Sequence, residues 1–143
     1  TPTGTIEGTG YAERIDLTIE PWRLPISALH WGRCHGARHD LVWIRWDGAE
    51  PRAVVWLDGV RRESAAIGET EVRADGVSWE CGERETLRRG AIGRTLLAPL
   101  GGLAAALPAA ALALDEHKWL APGMLTVDGS TEGAHAIAER VGW

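Results

Sequence analysis

Hydrophobic and polar residues alternate along most of the chain, in short segments separated by turn residues. Segments rich in Val, Ile, Thr and Trp lie between four Asp-Gly steps, of which Asp58-Gly59 separates the clearest pair. Asp-Gly favours type I′ hairpin turns because both residues tolerate a positive φ angle. The pattern predicts strands near residues 4–19, 28–34, 40–46, 52–57, 60–66, 69–73, 77–88, 117–127 and 134–142.

Many short strands with regular turn signals are typical of an antiparallel β-sandwich or β-barrel. The first predicted strand is long, and one of its faces carries Glu13 among the apolar residues Tyr11, Ile15, Leu17 and Ile19. Long strands that bend at glycine are common in small barrels. We therefore expect a mainly all-β, antiparallel fold.

One segment breaks the alternating pattern. Residues 95–114 carry no charge and are rich in Ala and Leu, with breaks at Pro99, Gly101-Gly102 and Pro108. This composition favours helix, and its Ala, Gly and Pro content argues against a transmembrane helix. We expect one or two short helices near residues 98–114, packed on one end of the barrel. Binding of this segment to a membrane surface or to a partner is the alternative.

Composition limits the class of protein. The 143 residues suit a single domain spanning residues 1–143, and the net charge of -5 disfavours non-specific binding to nucleic acid. Two cysteines without a Cys-x-x-Cys motif argue against a disulfide scaffold and favour a reducing compartment such as the cytoplasm. The chain begins at Thr1 rather than Met, which is compatible with a piece of a longer protein.

The aromatic residues are unusual, since there are eight Trp, one Tyr and no Phe. Tryptophan combines a large apolar area with one N–H donor, so such a number suits either a heavy core or the wall of an apolar cavity. For the second alternative, Trp31, Trp43 and Trp79 are the candidate wall residues. Their ring faces would also stabilise positive charge on a ligand.

Few features of the sequence indicate a metal site or a nucleotide-binding site. The residue types that bind zinc occur together at His30, Cys34, His35, His39 and Asp40. The nearby Gly32 and Gly36 indicate strand and turn, and no second paired ligand set follows. We therefore expect histidines at strand ends, with no metal and no cofactor. The chain also lacks dinucleotide-binding, P-loop and zinc-protease motifs.

A short phrase occurs twice, as Tyr11-Ala12-Glu13-Arg14 in the first predicted strand and Ile137-Ala138-Glu139-Arg140 in the last. Each Glu shares a strand face with apolar neighbours, and the first and last strands of a closed barrel are neighbours. Two inward carboxylates would raise the pKa of one of them, which would suit a general acid. Alternatively, each Glu pairs with a buried cation such as Lys118 and only stabilises the barrel.

The residues also resemble a known family. Gly8-Thr9-Gly10-Tyr11-Ala12-Glu13, followed by Leu29-His30-Trp31-Gly32-Arg33, is similar to the Gly-x-Gly-Tyr…Trp-Gly pattern of lipocalin-like proteins related to carotenoid hydratase (hydroxyneurosporene synthase). Glu116-x-Lys118-Trp119 and the closing Ala-x-Glu strand resemble later strands of that family. The chain departs from the pattern because it is one barrel long, whereas relatives often have two, and because residues 20–25 form an insertion.

The resemblance implies a lipocalin-like barrel that binds a hydrophobic small molecule. It extends to lyases and cyclases of biosynthesis that hydrate or cyclise polyenes by protonating a double bond. In such an enzyme Glu13 would donate the proton and Glu139 would raise its pKa. Tyr11, His30 and His135 would orient the ligand, and Lys118 would be a further ligand-binding residue near the carboxylates. A carrier without chemistry is one alternative, and a domain that pairs with a second barrel or a second copy through residues 95–114 is another.

Overall fold

A computed structural model describes Asp16, residues 18–94 and residues 107–143. This part of the chain is mostly antiparallel β-structure, and its strands form one sheet that is strongly curled into a half-barrel. The all-β, lipocalin-like prediction is therefore confirmed. The strands are β1 Ile26–Gly36, β2 Asp40–Gly48, β3 Arg52–Leu57, β4 Val60–Arg62, β5 Ala66–Ile67, β6 Glu71–Ala74, β7 Val77–Cys81, β8 Glu85–Ala91, β9 Asp115–Val127 and β10 Ser130–Gly142.

The strands follow the order β4-β3-β2-β1-β10-β9-β7-β6-β5. The long strand β9 has two partners on its second edge, because its first half pairs with β8 and its second half pairs with β7. A 3-10 turn at Pro21–Arg23 precedes β1, and the short helix α1 at Ala109–Ala113 precedes β9. No helix in the described ranges is long and apolar enough to cross a membrane.

Three of the four Asp-Gly steps connect antiparallel strands as hairpins, and two of these three have the expected type I′ geometry. The φ angles are 51° and 79° at Asp58-Gly59, and 47° and 83° at Asp128-Gly129, as a type I′ turn requires. At Asp75-Gly76 only the glycine has a positive φ, of 73°. The prediction of a turn at Asp47-Gly48 is wrong, since both residues belong to the end of β2.

Four predicted elements differ from the observed ones. The predicted strand at 60–66 is divided between β4 and β5, because the chain turns at Ser64, whose φ is 56°. Most of the predicted strand at 4–19 lies outside the described residues, and its end at Thr18 and Ile19 is a bend. The predicted strand at 77–88 is divided into β7 and β8, because the chain leaves one half of β9 at Gly82 and joins the other half at Glu85. Of the predicted helical segment at 98–114, the structure describes α1 and its flanks, and residues 95–106 lie outside the described part.

The register divides the sheet into two faces, because residues that pair across antiparallel strands share a face. The inner face carries the apolar core of the half-barrel, to which β1 contributes Cys34, β2 contributes Leu41 and Trp43, and β9 contributes Leu125. On β10 the core positions are Ala134, Ala136 and Ala138. These small residues leave room for tryptophan rings from other strands, and the intervening residues of β10 lie on the outer face.

Candidate functional site

Tryptophan rings form a layer on the inner face, next to a cavity of about 210 Å³. Trp43 and Trp79 are stacked, with ring centroids 5.2 Å apart and an interplanar angle of 27°. Trp119 joins them in the cavity wall from β9, opposite Ala138. The cavity therefore has a wall of indole rings, which is the tryptophan layer referred to below.

The tryptophan layer depends on a glycine. Gly32 pairs with Trp43 across β1 and β2, and the Trp43 ring lies over it. A Cβ atom at position 32 would lie 2.1 Å from the nearest carbon of that ring. The absence of a side chain at Gly32 is therefore what lets the indole lie flat on the sheet.

A row of basic residues crosses the inner face beside the tryptophan layer. Cross-strand pairing places Arg45 opposite His30, His30 opposite Arg140, Arg140 opposite His117, and His117 opposite Arg89. These five residues, here called the basic row, come from β2, β1, β10, β9 and β8 in turn. Directly paired residues have Cβ atoms about 5 Å apart. Four members of the row line the cavity, namely His30, Arg89, His117 and Arg140.

One end of the basic row is held by an ion pair. The Arg45 guanidinium lies 3.1 Å from each carboxylate oxygen of Asp47 and also donates to the carbonyl oxygen of Ile67. His30 Nε2 lies 2.8 Å from Arg45 and 3.1 Å from Asp47. Burial and the neighbouring Arg45 charge lower the pKa of His30, so Nε2 accepts a hydrogen bond from the guanidinium at neutral pH.

The other end of the row centres on His117. Its ring lies 5.0 Å from the Trp119 ring, and Nε2 is 3.1 Å from the hydroxyl of Thr86. Burial lowers the pKa of His117, and the charges of Arg89, Arg84 and Arg140 lower it further. Three guanidinium groups therefore direct positive potential at one imidazole, which remains neutral at pH 7.

The register places Glu139 on the face opposite to the core alanines of β10, in contrast to the predicted inward orientation, although the residue also borders the cavity. It pairs with Lys118 in the register, and its carboxylate lies 3.1 Å from Lys118 Nζ. The neighbouring Glu116 is 1% exposed and forms an ion pair with Arg88. Burial raises the pKa of Glu139; Lys118 opposes this shift, and the Glu116 carboxylate adds to it. The second carboxylate in this cluster is thus Glu116, and the expected pairing with Lys118 is present.

The remaining predicted site residues are not all at the cavity. Trp43, Trp79 and His30 line it from the inner face. Trp31 borders it from a strand position that pairs with Glu139, so its side chain belongs to the outer face. His135 pairs with His35 on the outer face and is exposed, in contrast to its expected role at the ligand. Tyr11 and Glu13 lie outside the described residues.

The residues considered as metal ligands separate between the two faces. Cys34 is fully buried in the core, and burial raises the pKa of its thiol to about 12. His35 and Arg33 both bond to Asp40 on the outer face, at 2.6 Å and 2.9 Å, while His39 bonds to Asp58 at 2.8 Å. Within the described ranges no three His, Cys, Asp or Glu side chains converge as a metal site would need.

Sequence reasoning missed the arginines of the cavity. The signal for Arg140 was present, because the buried alanines at 134, 136 and 138 are in phase with residue 140 rather than with Glu139. Arg89 could not be found in this way, since β8 has an irregular register between Thr86 and Arg88. Such a bulge shifts the alternation of side chains between the faces.

Comparison of the chain with protein-family models and with curated proteins finds no match.

Proposed function

We propose that this domain binds a small organic molecule in its inner-face cavity, as a lipocalin-like carrier. The observation that carries the proposal is the cavity beside the stacked rings of Trp43 and Trp79 and the ring of Trp119. Binding pockets for small molecules are concave and mostly apolar, with a few polar groups that orient the ligand. The tryptophan layer supplies the apolar area, and the basic row supplies the polar groups.

Kinship with the carotenoid hydratase-related family is part of the proposal, and the curled antiparallel sheet agrees with it. Location in a reducing compartment such as the cytoplasm is also part of it, because Cys34 and Cys81 are both free.

Acid-catalysed hydration or cyclisation is a weaker candidate than binding alone. Such a reaction needs a protonated group that faces the ligand in the cavity. Among the described residues, Glu139 is paired with Lys118, and the pKa values of the cavity residues His30 and His117 are lowered. These histidines are poor proton donors at neutral pH, and the predicted donor Glu13 lies outside the described residues. What the described residues support is binding, so we propose a carrier.

A titration tests the proposal. Neutral 2-naphthamide, added to the protein in a calorimeter, is expected to bind saturably with a 1:1 ratio. The variant Ala138→Leu adds a branched side chain to a buried position of the cavity wall and should weaken this binding at least about tenfold. Ala66→Leu makes the same change at an exposed strand position and should leave binding unchanged.

Circular dichroism establishes that both variants are folded before the comparison. If Ala138→Leu does not fold, the wild-type protein is used instead. Nuclear Overhauser effects between the naphthalene protons and the indole protons then show whether the probe contacts the tryptophan layer. Binding that is equal in both alanine variants, or that shows no contact with indole protons, contradicts the proposal.

A further inference from the structure

The basic row and the tryptophan layer lie at neighbouring levels of the same face. On β9, His117 precedes Trp119 by two residues, and on β10, Arg140 follows Ala138 by two residues. Two residues along a strand correspond to about 7 Å. A molecule that lies on the indole rings and extends beyond them by about the length of one aromatic ring therefore reaches the basic row.

The row carries positive charge that the described residues do not neutralise. Arg45 is paired with Asp47, and Arg84 lies 3.8 Å from the Glu69 carboxylate. Arg89 and Arg140, in contrast, have no ion pair or hydrogen bond to the described residues. Asp115 precedes His117 by two residues on β9 and raises the pKa of His117 through its charge. Within the described part of the chain, these two guanidinium groups at the cavity are thus left for an anion.

The acidic groups of the outer face do not alter this balance. By the register Glu116 and Glu139 lie on the opposite side of the sheet. They are paired with Arg88 and Lys118, so the Glu139 carboxylate is neutralised even though the residue borders the cavity. Burial is the main cause of the lowered pKa values of His30 and His117, and the neighbouring arginine charges lower both further.

We propose that the cavity binds an aromatic anion, with its ring on the tryptophan layer and its acidic group at Arg140 and Arg89. This inference rests on the proposed function and adds the chemical class of the ligand. A guanidinium group binds a carboxylate through two parallel hydrogen bonds, which gives both strength and orientation. The cavity of about 210 Å³ limits the ring system to a small one.

Calorimetric titration with 2-naphthoate and with neutral 2-naphthamide tests the inference. The two probes have the same ring and nearly the same shape, so their difference reports the charge. The wild-type protein is expected to bind naphthoate about tenfold more tightly than naphthamide at low salt. Salt at about 0.5 M should reduce this preference, because it screens exposed charges.

Three variants test which arginines cause the preference for naphthoate. Arg140→Gln and Arg89→Gln should each weaken naphthoate binding about fivefold or more, while naphthamide binding stays within twofold of wild type. Arg61→Gln removes an exposed arginine of β4 and should change neither, so it controls for net charge. Both cavity arginines are exposed residues, so these changes should leave the fold intact.

The possible results separate the two proposals. If neither probe binds, the proposed function fails. If both bind with equal affinity, the carrier function stands and the aromatic-anion inference is overturned. The inference is also overturned if naphthoate is preferred but neither cavity variant weakens it, or if Arg61→Gln weakens it as much as they do.

Discussion

Replacement of Gly32 by alanine tests the packing on which the cavity wall depends. The added Cβ atom would lie 2.1 Å from the Trp43 ring, whereas carbon atoms pack at about 3.5 Å or more. The ring therefore has to move by about 1.5 Å. It has little room to do so, since Trp43 is 4% exposed and its other side is stacked on Trp79.

Overpacking of this kind costs about 1–3 kcal/mol of stability. Replacing glycine by alanine also lowers the entropy of the unfolded chain, which offsets about 0.5–1 kcal/mol. We therefore expect Gly32→Ala to lower the free energy of unfolding by up to about 2.5 kcal/mol. Urea denaturation followed by circular dichroism measures this change, and tryptophan fluorescence reports the altered environment of the stacked pair.

Gly133→Ala is the matched control on β10. An added Cβ atom at Gly133 has no neighbour within 4 Å, so only the effect on the unfolded chain remains. This variant should be as stable as the wild type or more stable by up to about 1 kcal/mol. Equal urea midpoints for the two variants would refute the close packing of Trp43 on Gly32.

Three other predictions follow from the buried and titratable groups. Glu116→Gln should lower the free energy of unfolding by about 1–3 kcal/mol in urea titrations, because it weakens a charge-assisted hydrogen bond between the buried residue 116 and the partly exposed Arg88. Glu50→Gln at an exposed site should have no effect. Iodoacetamide at pH 8 should modify Cys81 in the native protein but not the buried Cys34, whose thiol pKa is about 12. Cys34 should react only after urea unfolds the chain, and a mass spectrum of the native protein with both cysteines labelled would contradict this prediction. The pKa of His117 is lowered in the folded protein, so below pH 6.5 the unfolded chain binds more protons than the folded chain does. The free energy of unfolding should therefore fall as the pH decreases through that value, and His117→Gln should show a smaller fall between pH 7.5 and 5.5.

Local patterns predicted most of the strands. The hairpin at Asp58-Gly59 follows from two residues that tolerate positive φ between alternating segments, and it is present in the structure. The helix α1 also falls within the uncharged, alanine-rich segment that was expected to be helical. These features depend on neighbours in the sequence, so the sequence contains the information that sets them.

The faces of the strands were harder to assign. Glu139 has apolar neighbours two residues away on both sides, and this pattern wrongly indicated the inner face. The outer face of β10 is itself partly apolar there, with Ile137 and Val141 beside Glu139. When both faces of a strand carry apolar residues, alternation alone does not show which one covers the core.

The candidate site depends on the pairing of strands that are distant in the sequence. The sequence by itself determined a mainly antiparallel β-fold, its strongest turns and a tryptophan-rich interior. The basic row exists only because β8, β9, β10, β1 and β2 are neighbours in the sheet, although their residues are far apart in the chain. Register across strands, rather than spacing along them, brings Arg89, His117 and Arg140 together, because each strand contributes one residue to a given level of the sheet.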